Sequence, residues 1–196
     1  MNTHKKIYTM MLSAILIAVG TVIPLFMPKV IIGPMSFTLA SHVAIMIAIF
    51  ISPQVTLAVS LGTTLGFFLA GFPFIVVLRA LTHVTWALAG AIYAKKNPAT
   101  FESPKKTLLF NLSLASIHAV AEMIIVIPFY FGPSLDIQTF LYLIVGLVGV
   151  GTLVHSSVDF IISLVVWKAL AKNNGIAKIS NVKNIYLIKD KKEIIA

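Results

Sequence analysis

The sequence predicts an all-α integral membrane protein with six transmembrane helices and both termini in the cytoplasm. Of its 196 residues, 59% are hydrophobic and 11% are charged, and the mean hydropathy is +1.00. A soluble domain of this size does not need so much apolar surface. The apolar residues fall into long runs, and most lysines lie between or beyond those runs.

Six apolar runs, separated mostly by proline and glycine, are interpreted as the spans. About 20 helical residues cross the hydrocarbon core, so the short second and third runs predict tilt or partial burial. The basic start resembles a signal peptide, but no convincing cleavage site follows, so we expect a retained first helix. The predicted spans lie at about 7–26, 37–51, 54–70, 74–94, 107–131 (closed by Gly132 and Pro133) and 138–168.

The lysines predict the orientation of these spans. They cluster before span one, between spans four and five, and after span six, while the opposite loops hold Lys29 and Asp136. An even number of spans puts the clusters on one side, which the positive-inside rule makes the cytoplasm. We therefore divide the chain into a six-helix membrane domain, 1–172, and a basic cytoplasmic tail, 173–196, lying near anionic headgroups.

Three pairs of ionisable residues, each spaced by four positions, interrupt the last three apolar runs. This spacing puts both members of a pair on one helix face. A charged group at membrane depth costs about 2.5–3.5 kcal/mol on insertion scales, so three pairs indicate a polar site where helices meet. The pairs are Arg79/His83, His118/Glu122 and His155/Asp159.

The orientation places Arg79 and Glu122 in the same outer layer of the membrane. In one interpretation these two residues form an ion pair that neutralises both buried charges. In the other, Arg79 binds an anionic ligand with its planar guanidinium, and His83, His118 and Glu122 complete the shell. The two interpretations are compatible, because an anionic ligand can replace Glu122 as the partner of Arg79.

The third pair lies deeper, and we expect His155 and Asp159 to form a structural tie between helices. His42, alone in span two, is expected to pack in the core. A metal site made from His118, Glu122, His155 and Asp159 is an alternative, because these are reasonable ligands for borderline metals. The spacing is weakly specific, and the prediction is that the chain binds no metal.

Several classes of function are disfavoured by what the sequence lacks. It has no phosphate-binding G-x-x-x-x-G-K-[ST] loop, no H-E-x-x-H and no G-x-S-x-G motif, so we do not expect an enzyme. Its basic residues lie beside the membrane without interleaved aromatic residues, which argues against nucleic-acid binding. The absence of cysteine excludes disulfides and thiolate metal ligands.

Span one carries small residues one helical turn apart, Ala14 and Ala18, with Ser13 beside them. Such a stripe lets another helix approach closely, although internal packing is the alternative. After span one, an irregular outer loop over 28–35 leads to Phe37. We expect this loop to act as a lid over the outer mouth, with Phe37 as an apolar stopper.

These features together resemble the substrate-binding (S) components of energy-coupling factor vitamin transporters, over about residues 5–172. The resemblance implies that Ala14 and Ala18, which match the family's Ala-x-x-x-Ala signature, dock with Ser13 onto a transmembrane coupling subunit. It also implies a bacterial plasma-membrane location. ATP would be hydrolysed by two partner ATPase subunits, and this chain would need no cofactor. The implied vitamin-binding residues are Arg79, His83, His118, Glu122 and Phe37.

The stretches PMSFTLASHVAIMIAIFISP and GFPFIVVLRALTHV look most like the pantothenate-type S components. Arg79 would suit the carboxylate of pantothenate, but it would equally suit niacin or folate. Hydroxymethylpyrimidine is a further alternative. Two other classes stay open: a self-sufficient proton-coupled carrier that uses the ionisable pairs as relays, and a membrane enzyme or metal permease.

Overall fold

The computed structural model describes residues 3–130 and 136–188, and helices make up most of that part of the chain. An antiparallel hairpin of β1 (Lys29–Ile32) and β2 (Met35–Thr38) follows the first helix. Short 3-10 helices at Pro98–Glu102 and Tyr186–Ile188 complete the elements of the described residues. The helices are α1 (Thr3–Phe26), α2 (Val43–Ile51), α3 (Pro53–Leu69), α4 (Phe74–Lys96), α5 (Pro104–Tyr130), α6 (Ile137–Leu170) and α7 (Asn174–Ile179).

Four of these helices, α1, α4, α5 and α6, are long and apolar enough to cross a membrane. Helix α3 is apolar but has 17 residues. Large hydrophobic side chains are exposed on the outward faces of these helices, as expected for surfaces that contact lipid. The architecture is therefore that of a helical membrane protein. The predicted number of six spans is not confirmed, and the hairpin departs from the predicted all-α fold.

The predicted second span, 37–51, is wrong over its first half. Residues 37 and 38 belong to β2, and α2 begins only at Val43. Its nine residues cover about 13.5 Å, less than half of the hydrocarbon core. All nine are buried, because an apolar helix without a polar face is stable only when neighbours surround it.

The outer loop predicted over 28–35 is a regular hairpin rather than an irregular segment. Lys29 pairs with Thr38 and Ile32 with Met35, which leaves Gly33 and Pro34 as a two-residue turn. Gly33 has a φ of 54°, and tight hairpin turns need such a positive φ, which glycine adopts without a steric penalty.

Helix α6 runs for 34 residues, and its middle, Leu141–Val150, is π-helical. Its first turn is capped by Asp136, whose carboxylate accepts hydrogen bonds from the backbone N–H groups of Gln138 and Thr139, both at 2.9 Å. The bond from the Thr139 backbone is the main cause of a lowered Asp136 pKa. Gly132 and Pro133, predicted to close span five, lie outside the described residues.

Part of the hydrophobic core lies where α2 ends. An aromatic cluster surrounds this point, with ring centroids 5.3 Å apart both for Phe50 and Phe101 and for Phe50 and Trp167. Its members are Phe50, Phe101, Phe110, Phe160 and Trp167.

The chain beyond α6 folds back onto this cluster. The backbone N–H groups of Asn181 and Val182 donate to the carbonyls of Ile51 and Phe50, at 2.9 and 3.0 Å. These carbonyls at the end of α2 have no partner within the helix, so the returning segment satisfies them. Val182 is fully buried. The described part of the segment is thus more closely integrated than a tail lying along headgroups, and Lys189, Lys191 and Lys192 lie outside it.

The two ends of the helix bundle differ in charge. The segments that bear most lysines meet at the end where α2 stops: Gly175 approaches Tyr8, and Phe101 contacts Phe50. We call this the lysine end. The opposite end, where the hairpin and the α3–α4 turn meet, contains a cavity and is called the cavity end. The prediction that the lysine end faces the cytoplasm stays a prediction.

Candidate functional site

Arg79 on α4 and Glu122 on α5 form a buried ion pair at the cavity end. The guanidinium Nη2 donates to Glu122 Oε2 at 2.9 Å, and both side chains are almost entirely buried. Thr152 on α6 donates to the same oxygen at 2.6 Å. The sequence analysis expected these charges in one layer, and the structure brings them into direct contact.

The hairpin lies over this ion pair and is attached to it. Arg79 also donates to the backbone carbonyls of Pro34 and Ser36, at 3.3 and 3.4 Å. Its Cζ atom lies 5.7 Å from the ring centroid of Phe37, and that ring stacks on His155 with centroids 4.7 Å apart. One guanidinium therefore links the helices below to the hairpin above.

His42 is the centre of a histidine cluster, which consists of His42, His83, His118 and His155. The His42 ring centroid lies 4.8, 4.7 and 4.9 Å from those of His83, His118 and His155. Trp86 stacks on His118 at 4.8 Å. His42 is buried and packed, as expected, but it packs against other imidazoles, because four elements each contribute one histidine to the same point.

Asp159 on α6 fixes the position of His42. One carboxylate oxygen accepts from the backbone N–H of Ala40 at 2.8 Å, and the other accepts from the backbone N–H and Nδ1 of His42, at 2.9 and 3.0 Å. Ala40 has a φ of 66°, a left-handed conformation that residues with a β-carbon rarely adopt, so these bonds hold a strained turn. His155 lies 3.4 Å from Asp159.

The sequence predicted that His155 and Asp159 form a structural pair below the ligand-contacting residues, and the structure does not separate the residues in this way. Asp159 is a tie, as expected, but His155 lines the cavity with Phe37, Arg79, His83 and Glu122. His118, predicted to contact ligand, is fully buried behind this wall, 3.4 Å from Glu122 and 3.4 Å from Ser156. The roles proposed for these residues stay predictions.

Four buried polar atoms at this site have no hydrogen-bond partner. Within residues 3–130 and 136–188, seven buried side-chain nitrogen or oxygen atoms lack one, and such atoms are costly in a protein interior. The three outside this site are Ser60 Oγ, Trp167 Nε1 and Asn181 Nδ2. The four atoms are Arg79 Nε, His83 Nδ1, Trp86 Nε1 and His118 Nε2. Their concentration at one point indicates a site prepared for a ligand rather than a finished core.

The cavity beside them has a volume of about 170 Å³. Arg79 and Glu122 supply its charges, Phe37, His42 and His155 supply ring faces or edges, and the exposed Lys29 lies at its rim. Sites for drug-sized ligands usually occupy roughly 300–1,000 Å³, so this cavity suits a smaller molecule.

Three residues of the site, His42, Thr152 and Trp86, were not predicted from the sequence. His42 follows the hairpin, and without the hairpin it could not be placed at the cavity. Thr152 and Trp86 carried no signal beyond being polar or aromatic on helices already implicated. Ser41, which lies 3.1 Å from His155 Nε2, belongs to the same turn.

The residues predicted to contact a partner protein lie on two sides of α1. Ala14 and Ala18 are exposed, whereas Ser13 is buried and donates to the carbonyl of Thr9 at 2.9 Å. The alanines thus lie on an outward face with exposed Met11 and Ile15. Ser13 does not share that face.

The chain is 40% identical over 182 residues to the niacin transporter NiaX of Lactococcus lactis subsp. cremoris strain MG1363. The aligned region covers 92% of this chain and 82% of the relative. No protein-family model and no solved structure matches the chain.

Proposed function

Because the chain belongs to the NiaX family of transporters, we propose that it is the niacin-binding S component of an energy-coupling factor importer. The relationship supports the S-component class and a transport role. It gives no support to the pantothenate specificity expected from the sequence, which we withdraw in favour of niacin, one of the alternatives.

The observation that carries the niacin proposal is a buried guanidinium on the wall of a small cavity bordered by rings. Nicotinate is one aromatic ring with one carboxylate. The unpartnered Nε of Arg79 and its Nη2, now on Glu122, offer the two parallel donors that a carboxylate accepts. Phe37 and His155 supply faces against which the pyridine ring can stack.

Glu122 supports this exchange of partners. Its Oε2 already accepts from Thr152 at 2.6 Å, so the carboxylate keeps one strong hydrogen bond when Arg79 turns to the vitamin. The cost of separating a buried ion pair is therefore reduced by a hydrogen bond already in place.

Equilibrium binding to the purified protein in detergent tests the specificity. We expect one nicotinate to bind per chain without ATP, with weaker binding of nicotinamide, which lacks the charge, and no measurable binding of pantothenate. Measuring the three compounds by isothermal titration calorimetry, after removal of any copurified small molecule, gives the comparison. Tight pantothenate binding without nicotinate binding would overturn the proposal.

The second part of the proposal concerns partners and location. We propose that the exposed face of Ala14 and Ala18 contacts a transmembrane coupling subunit in the bacterial plasma membrane, and that two ATPase subunits supply the energy. Small residues allow such close helix approach, and neither alanine packs inside this chain.

Ala14→Trp and Ala18→Trp test the interface. Both changes should abolish assembly with the coupling subunit and vitamin uptake while leaving nicotinate affinity unchanged, because neither alanine lines the cavity. Ala89→Trp, at an exposed alanine on α4, is the matched control and should assemble normally. Normal assembly and uptake by both α1 variants would contradict this interface.

A further inference from the structure

The vitamin proposal leaves the histidine cluster unexplained. Arg79, Phe37 and His155 are sufficient to bind a carboxylate and a ring, yet three further imidazoles meet at the cavity wall. His42 and His83 line the cavity, and His118 lies buried behind them. His83 and His118 have ring centroids 5.2 Å apart, and His42 lies within 4.8 Å of both. Three imidazoles packed against one another in an apolar bundle gain little as packing groups, since each must bury polar nitrogens.

The nitrogens of these rings converge. His42, His83 and His118 each offer one ring nitrogen, and these three atoms lie within 4.8 Å of one another. His83 Nδ1 and His118 Nε2 are buried without a hydrogen-bond partner. On His42, Nδ1 is engaged by Asp159, which leaves Nε2 with a free lone pair.

We propose that His42, His83 and His118 bind a divalent transition-metal ion of the Zn²⁺ type. Imidazole nitrogen suits zinc, copper, iron and nickel, and three histidines with a fourth open position form a well-known zinc geometry. Zn–N bonds of roughly 2.0–2.1 Å place tetrahedral nitrogens about 3.3 Å apart. The rings must therefore move closer than their present separations of up to 4.8 Å, by rotation about their side-chain bonds.

Asp159 acts on this ion through His42 rather than as a ligand. Both of its oxygens are already used, by the backbone N–H of Ala40 and by the N–H groups of His42. A carboxylate that accepts the second ring N–H of a liganding histidine fixes the ring and raises its basicity, a common arrangement in metal sites. Asp159 is thus a positioning residue.

The charge around the cluster favours a cation. Arg79 contributes one positive charge, and ionised Glu122 and Asp159 contribute two negative charges, so the surroundings carry a formal charge of −1 when the histidines are neutral. A divalent ion changes this to +1. An anionic ligand in the cavity would then neutralise the site; this last step alone rests on the proposed vitamin function.

This proposal departs from the sequence analysis in two ways. The sequence predicted no metal, and its alternative ligand set was His118, Glu122, His155 and Asp159. Of these, only His118 is in the site proposed now. The proposed ligand set differs because of His42. Its ring nitrogen lies within 4.8 Å of nitrogens of His83 on α4 and His118 on α5.

The test uses the full-length protein with its purification tag removed and its metal stripped by a chelator. Co²⁺ and then Zn²⁺ are titrated without any vitamin, by absorption spectroscopy and calorimetry. We expect one Co²⁺ per chain with the intense d–d bands of four-coordinate cobalt, displaced by one Zn²⁺. No four-coordinate cobalt signal in folded wild-type protein would overturn the proposal.

Variants locate the ion. His83→Ala and His118→Ala should lower metal affinity at least 100-fold, and Asp159→Asn should lower it by about 10- to 100-fold, as loss of an outer partner does. His4→Ala, at an exposed histidine near the N-terminus, should have no effect. Binding lost in His4→Ala and kept in His83→Ala indicates an adventitious surface ion and rejects the site.

Two measurements keep the result unambiguous. Thermal stability of each metal-free variant shows whether it folds, and the wild-type cobalt spectrum decides the question if a histidine variant does not. Nicotinate binding is measured separately on stripped protein, so failure of the metal site and failure of the vitamin proposal are distinguished.

Discussion

The cavity end and the lysine end are built from the same apolar helices but differ in what fills their centres. At the lysine end the aromatic cluster packs around Phe50 with ring distances of 5.3–6.1 Å, and the C-terminal segment completes it. At the cavity end, charged and imidazole groups meet, and four of the buried polar atoms lack hydrogen-bond partners, against two at the lysine end, Trp167 Nε1 and Asn181 Nδ2.

This difference shows how one helical bundle separates stability from recognition. Aromatic packing stabilises the fold at the lysine end. Unsatisfied polar groups cost free energy at the cavity end, and a ligand can recover that cost on binding. We therefore expect substitutions at the two ends to affect different measurements.

The largest effect is expected at the lysine end. Trp167→Ala removes a fully buried ring from the aromatic cluster and should lower the free energy of unfolding by about 3–5 kcal/mol. Thermal unfolding in detergent measures this loss. Nicotinate affinity of the folded protein should stay within a few-fold of wild type, because Trp167 does not line the cavity.

Val165→Ala, at an exposed position two residues away on α6, is the matched control for Trp167 and should hardly change stability. A Trp167→Ala protein that unfolds at the wild-type temperature, or that loses nicotinate binding while folded, would contradict the division between the two ends.

The next effect is expected at Arg79. Arg79→Gln should weaken nicotinate binding by about 100-fold, because a desolvated charge-assisted contact is lost and Glu122 remains buried without its counterion. Arg79→Lys should recover part of the affinity, since lysine keeps the charge and loses the planar fork. Calorimetry with nicotinate and nicotinamide measures both variants.

The ratio of the affinities for nicotinate and nicotinamide distinguishes loss of carboxylate recognition from damage to the fold. Arg79→Gln should reduce the preference for nicotinate over nicotinamide, whereas a merely loosened protein would bind both less well. Unchanged nicotinate affinity in Arg79→Gln would falsify the assigned role.

A smaller effect is expected from the hairpin. Phe37→Ala removes the ring that stacks on His155 and lies near Arg79, and should weaken nicotinate binding by about 3- to 10-fold. The change should appear mainly as faster release, measured by stopped-flow displacement.

Phe37→Leu, which keeps an apolar side chain without an aromatic face, separates stacking from simple covering of the cavity. We expect it to release nicotinate at a rate between those of wild type and Phe37→Ala. Equal release rates for all three proteins would remove Phe37 from the site.

The sequence predicted the long helices well because hydropathy and length are strong signals. Helices α4 and α5 begin and end within three residues of the predicted spans. Span two failed because its apolar run continues from a strand into a short buried helix, and hydropathy does not distinguish lipid from protein surroundings.

The site was predicted where the spacing of residues on one helix was informative. The predicted orientation placed Arg79 and Glu122 at one depth, and their ion pair was one of the two interpretations left open. The position of His42 depended on the hairpin and on a strained turn at Ala40, which no periodic pattern indicates. Interactions between distant segments therefore account for most of what the sequence did not predict.

The pairing of Asn181 and Val182 with the end of α2 has a consequence for the order of events during biosynthesis. The ribosome makes these residues after helices α1 to α6. The carbonyls of Phe50 and Ile51 therefore have no backbone hydrogen-bond partner from this segment until it has been synthesised. Until then, the buried helix at the centre of the molecule has an unfinished end. Pairing of the segment after α6 with the end of α2 is thus a late step in the assembly of the fold.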